Sequence, residues 1–142
     1  MNSESIWLID GDADDQEMVQ QVWKELNLQN ELVFFENAED AINTLTKVEI
    51  APFIIISELN FPKINGFQLR EKMLAVNSKK FNSVPFIFWT AQASEDQITQ
   101  AYHLSVHGFF IKETRFEDLK MTFTHILNYW LKSKMPSKTN NQ

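Results

Sequence analysis

The chain has 142 residues, 44% of them hydrophobic, enough for one compact domain with one core and too few for a second. Its 13 Lys and Arg against 19 Asp and Glu give a formal charge of −6, which argues against a nucleic-acid surface, since that needs clustered cations. The absence of cysteine excludes disulfide and thiolate chemistry; no apolar run reaches the roughly 18 residues of a membrane span and no secretory leader is evident, so a soluble cytoplasmic protein is expected.

Five short apolar runs alternate with segments of helical period. Ile6-Trp7-Leu8-Ile9, Leu32 to Phe35, Phe53 to Ile56, Phe86-Ile87-Phe88-Trp89 and Phe109-Phe110-Ile111 are apolar at nearly every position. Strands of that kind are covered on both faces, as in a parallel sheet between helix layers. The first helix is expected to start among Asp12, Asp14 and Asp15, which can cap and charge its first turn, with Met18, Val19, Val22, Trp23 and Leu26 as its apolar stripe. Asn37 opens a second, with Ala41, Ile42 and Leu45 inward, and Gly66 precedes a third bearing Leu69, Met73 and Val76. Ser94-Glu95-Asp96-Gln97 is a capping-box pattern for a fourth, expected to stop near Gly108. The fifth has the longest stripe, Phe116, Leu119, Phe123, Ile126, Leu127 and Trp130. A domain over 1–132 is expected, with the polar residues 133–142 as a frayed tail too short to form an output domain.

In an open parallel sheet the carboxyl ends of the strands share one edge, and ligands bind there. Asp10 and Asp12 follow the first strand, Glu58 the third, Thr90 the fourth and Lys112 the fifth. Gathered carboxylates suit a hard cation such as Mg²⁺, while a lysine and a hydroxyl suit phosphoryl oxygens. Each residue also has an ordinary reading. Asp12, Asp14 and Asp15 are equally placed as helix caps, Glu58 and Lys112 as solvated charges, Thr90 as a strand end and Phe109 as core. His103 and His107 stand four apart, but Gly108 follows at once and no third ligand is near, which disfavours zinc.

Ile9 to Asp15, Ser57 to Gly66, Trp89-Thr90-Ala91 and Gly108 to Lys112, in this order and spacing, resemble the receiver domain of two-component response regulators across residues 5 to about 131. The resemblance implies a flavodoxin-like (βα)5 fold of strand order 2-1-3-4-5, a stand-alone module in phosphorelay signalling rather than an enzyme. It also implies an acceptor position at Glu58, a Mg²⁺ site drawing on Asp10 and Asp12, and Thr90 and Phe109 as switch residues with Lys112 at the phosphate. The partners it implies are a histidine kinase or a downstream protein docked on the fourth helix, fifth strand and fifth helix; the chain itself is expected as a monomer or weak homodimer.

Three positions depart from that pattern. Gly11 stands where the second acid of a pair is expected, which removes a direct metal ligand. Glu58 replaces an aspartate, displacing its carboxylate by about 1.5 Å, and about 1 Å of misplacement costs on the order of 100-fold in a positioned transfer. Glu113 replaces a proline preceded by a cis bond; a cis bond before a non-proline residue costs roughly 2.5–4 kcal/mol, so a trans peptide is expected. Together these point to a degenerate, phosphorylation-independent receiver with no required cofactor. The alternative is a conventional Mg²⁺-dependent acceptor using Glu58 or a rearranged acidic pocket. A flavin- or nucleotide-binding protein of similar topology is disfavoured, because the acids of the first strand-to-helix turn would repel a phosphate.

Overall fold

The computed structural model describes residues 4–76, 79–81 and 83–136. Five strands, β1 (Ile6–Ile9), β2 (Leu32–Phe35), β3 (Ile54–Ser57), β4 (Phe86–Thr90) and β5 (Gly108–Ile111), alternate with five helices. These are α1 (Ala13–Leu26), α2 (Ala38–Leu45), α3 (Gly66–Ala75), α4 (Glu95–His103) and α5 (Phe116–Lys132), with a short 3₁₀ turn at Lys79–Phe81. The strands form one parallel sheet in the order β2-β1-β3-β4-β5. This is the flavodoxin-like α/β architecture that the resemblance implied. Residues 137–142 of the expected tail lie outside the described residues.

The three central strands are buried at every position, which explains their unbroken apolar runs. Alternate residues face two separate cores. Ile6, Leu8, Ile54, Ile56, Ile87 and Trp89 pack toward α1 and α5, against Val19, Val22, Trp23, Phe123 and Leu127. Trp7, Ile9, Ile55, Phe86 and Phe88 pack toward α2, α3 and α4, against Ala41, Leu69, Met73 and Ala101.

Helix starts follow local chemistry closely. Asp12, Asn37, Asn65 and Ser94 are N-caps whose side chains accept from backbone N–H groups one turn on, and Asn65 and Ser94 complete capping boxes with Gln68 and Gln97. Gly66 is therefore the first residue of α3, with Asn65 as its cap. Helix α4 ends at His103, well before Gly108, and Ser105 takes the left-handed conformation (φ 60°) just after it. Tertiary contacts hold this end. The buried Arg70 of α3 donates from Nε to Leu104 O at 2.9 Å and from Nη2 to Ser105 O at 2.8 Å, with its guanidinium 5.3 Å from the centre of the Phe86 ring.

Nearby, His107 N donates to Phe86 O at 2.8 Å and His107 Nδ1 accepts from Phe86 N at 3.0 Å, so an unprotonated imidazole completes the pairing at the start of β4. His107 is exposed as a residue, but partial covering of its imidazole holds the group below its ordinary pKa, and the positive Arg70 adds to this. A depressed pKa contributes stability that is present above the unfolded value near 6.5 and is lost as pH falls through the folded one. Wild type is expected to lose more stability than His107→Gln between about pH 7.5 and 5.5. Urea denaturation of both proteins checks this, because groups that titrate in each, Asp10 among them, cancel in the difference; equal losses would dismiss the role given to His107.

Candidate functional site

Backbone pairing continues beyond the strands and sets the strand-end residues side by side. Asp10 N donates to Phe35 O (2.9 Å), Glu58 N to Ile9 O (2.8 Å) and Lys112 N to Thr90 O (2.8 Å). Asp10, Glu58, Thr90 and Lys112 are thereby brought to one edge of the sheet, beneath a crevice of about 840 Å³. Among the described residues, the charged ones lining it are Asp10, Asp12, Asp15, Glu36, Glu58 and Glu113 against Lys112.

Lys112 is the hub. Its Nζ lies 2.8 Å from Asp10 Oδ2, 2.6 Å from Asp15 Oδ2 and 2.7 Å from Glu58 Oε1, and 4.8 Å from the centre of the Trp89 ring. The Glu58 carboxylate divides its two oxygens. Oε1 faces the ammonium, while Oε2 accepts from Leu59 N at 2.7 Å, Asn60 N at 2.9 Å and, in a short bond, the Thr90 hydroxyl. Asn60 Nδ2 reaches Thr90 Oγ1 at 3.4 Å.

Burial and pairing oppose each other in this cluster. Burial works against ionisation of Glu58, but hydrogen bonds from Lys112, Thr90 and Asn60 N outweigh it and hold the carboxyl below the usual range. At Lys112 burial is again outweighed, by Asp10, Asp15 and Glu58, so the amine is held above its ordinary value. Asp10 is the exception. Only 1% exposed, it is pushed up to about 6 by burial despite the nearby ammonium. Three carboxylates on one ammonium leave the last of them poorly compensated.

The remaining expected site residues fall differently. Asp12 is exposed on the crevice rim, and its Oδ1 caps α1 by accepting from Asp14 N (2.8 Å) and Asp15 N (3.1 Å). Asp15, expected among the acids that cap and charge the first turn of α1, does lie in that turn and also projects onto Lys112. The i,i+3 spacing from Asp12 was the available signal, since it puts the side chain one turn inside the cap. Asn60 and Trp89 were also missed as site members. Phe109 is half-buried with its ring centre 5.7 Å from that of Phe88, on the α3–α4 side of the sheet. No cis peptide occurs among the described residues, so the bond before Glu113 is trans, and Glu113 Oε2 accepts from the Thr122 hydroxyl of α5.

As placed, these residues do not fit a Mg²⁺ ion, which takes near-octahedral oxygen ligands. The carboxylates Asp10, Asp15 and Glu58 converge on an ammonium, and no described group of three His, Cys, Asp or Glu is arranged to hold a metal. Gly11 adds a steric reason: a Cβ there would stand 2.7 Å from the Glu36 carbonyl oxygen, so an acid enters only if the backbone moves.

The family model of the response regulator receiver domain matches residues 6–124. The chain belongs to this family. Receiver domains are signalling proteins rather than catalysts. Among similar proteins, the response regulator Rcp1 of Synechocystis sp. is 25% identical over 134 residues, covering 90% of this chain and 89% of that one. The probable methanogenesis regulatory protein FilR2 of Methanothrix harundinacea is 31% identical over 80 residues, 56% of this receiver; the chain spans about half the length of that relative. In structure, the phosphorylated cyanobacterial phytochrome response regulator RcpA superposes with a TM-score of 0.84 at 20% identity, covering 96% of this chain and all of that one. No helix among the described residues is long and apolar enough to cross a membrane.

Proposed function

We propose that this receiver works as a phosphorylation-independent docking module in two-component signalling, with Glu58 serving as a fixed internal substitute for a modified acceptor. One observation carries the reading: Glu58 already holds the Thr90 hydroxyl on Oε2 and the Lys112 ammonium on Oε1. Those are the two groups that a phosphoryl group at this edge would recruit through its own oxygens. Charge supports the same reading. Asp10, Asp15 and Glu58 already exceed Lys112 by two, and converting one of these carboxylates to an acyl phosphate of charge about −1.5 to −2 would add roughly a further −0.5 to −1 to the cluster. The partner is a histidine kinase or a downstream signalling protein on the α4–β5–α5 face, where Tyr102, Ile111 and Met121 are exposed. The module is assigned to residues 1–132.

The test is to incubate the protein with Mg²⁺ and either acetyl phosphate or beryllofluoride, following intact mass and tryptophan fluorescence. No mass gain and no spectral change are expected, whereas a labile adduct on Glu58 or a neighbouring acid would overturn the proposal in favour of the conventional acceptor. Glu58→Asp alone is expected to stay unmodified. Gly11→Asp with Glu58→Asp regains an adduct only if the β1–α1 loop can draw away from Glu36.

A further inference from the structure

At the opposite end of β5 from Lys112, a cavity of about 540 Å³ opens between the sheet and the last turns of α5. Ile87, Phe110 and Ile126 supply its apolar lining. The rest comes from Tyr129, Trp130 and two of the chain's three histidines, His107 and His125. The volume lies within the roughly 300–1,000 Å³ range of small-molecule sites.

Its polar chemistry is defined by one hydrogen bond. His107 Nδ1 accepts from Phe86 N, and a neutral imidazole has one acceptor and one donor nitrogen, so Nε2 carries the hydrogen. That N–H has no protein partner among the described residues. The same tautomer excludes a metal ion at Nε2, since ligation needs an unprotonated nitrogen. The aromatic rings are arranged edge to face: His107 and Trp130 have centres 5.8 Å apart at 81°, and Tyr129 and Trp130 4.9 Å apart at 72°. No Asp or Glu among the described residues lines the cavity, although acids outnumber bases in the chain as a whole.

An apolar, aromatic-edged cavity with a free N–H and no lining carboxylate among the described residues complements a flat apolar body carrying an anionic acceptor. We propose that this cavity binds a small planar aromatic carboxylate, its ring packed against Phe110 and Trp130 and a carboxylate oxygen accepting from His107 Nε2–H. The site is separate from the acid cluster, so the proposal stands whether or not Glu58 substitutes for a modified acceptor.

The experiment is a titration of the full ¹⁵N-labelled chain with 2-naphthoate, and in parallel with uncharged 2-naphthamide, followed by amide and indole resonances. Saturable shifts centred on Ile87, His107, Phe110 and the Trp130 indole are expected with a Kd below about 1 mM, and at least about tenfold weaker binding of the amide. His107→Phe, which keeps a ring but removes the donor, and Tyr129→Glu, which sets an anion on the exposed edge, should each weaken naphthoate binding by about tenfold or more. Tyr129 is 64% exposed, so the second variant reads binding even if the first does not fold. No saturable shift by about 5 mM, a weak interaction of which this is well above the expected Kd, would overturn the site. So would naphthamide binding as tightly as naphthoate, binding unchanged in Tyr129→Glu, or self-association of the free protein burying these same resonances.

Discussion

Replacing Lys112 with Met is expected to lower stability by about 3–5 kcal/mol near pH 8, the loss typical when one partner of a buried ion pair is removed. The size follows from what is left behind. Asp10 is almost fully buried, and Asp15 and Glu58 are largely so, with side-chain exposures of 2%, 15% and 12%, all within 2.8 Å of the same nitrogen. Without the ammonium they repel one another in a medium that screens charge weakly. The pH dependence carries a definite sign. The folded Asp10 carboxyl is already raised from 3.8 to about 6, so folding takes up a proton and the cost of burying its charge is relieved as pH falls through 6. Removing Lys112 raises that carboxyl further. The stability given by the raised Lys112 amine, in contrast, is fully present throughout the range below 10.5. The gap between variant and wild type should therefore be widest near pH 8 and narrow toward about pH 5. Urea denaturation at both values decides it. A loss under about 1 kcal/mol, the worth of an exposed pair, would mean that the cluster is solvated; a gap independent of pH would mean that Asp10 is not its strained member.

Gly66→Ala should cost about 2–3 kcal/mol, toward the upper end of what overpacking a rigid site costs. Its backbone is not in the left-handed region, so the cause is space alone. A Cβ at 66 would stand 2.5 Å from Phe88 Cε1, 2.8 Å from Glu58 O and 3.0 Å from Leu59 Cα. Two of those atoms are backbone, and Gly66 N is itself held to Leu59 O at 2.8 Å, so the strain falls on the segment that aims the Glu58 carboxylate. The variant should shift the amide resonances of Glu58, Leu59 and Thr90 together. Gly108→Ala is the control. Its Cβ would meet only side-chain atoms, at 3.1 Å and beyond, and it should cost less than about 1 kcal/mol. Equal costs at the two glycines would dismiss the close approach at Gly66.

Much of this architecture was legible in particular residues. The unbroken apolar runs of β1, β3 and β4 announced strands covered on both faces, and the caps at Asp12, Asn37 and Ser94 marked three helix starts within a residue or two. Because parallel strands end at one edge, Asp10, Glu58, Thr90 and Lys112 could be placed together before any coordinates. The end of α4 was less legible. Ser94 to Gly108 carries no stop signal before the glycine, and the helix ends early where Arg70, thirty-four residues away, takes the carbonyls of Leu104 and Ser105.

The linear order of residues thus determined which chemical groups share the sheet edge, since strand polarity and the period-two alternation are local properties of the chain. Which of those groups touch was decided only in three dimensions. Asp15 stands one turn before Val19 on the stripe visible in the sequence, but only the packing of Val19, Val22 and Trp23 beside α5 and the sheet brings that end of α1 onto Lys112, 97 residues away in the chain. The same holds for Gly11, whose lack of a side chain acquires a steric meaning only when β2 brings the Glu36 carbonyl within 2.7 Å of where a Cβ would stand.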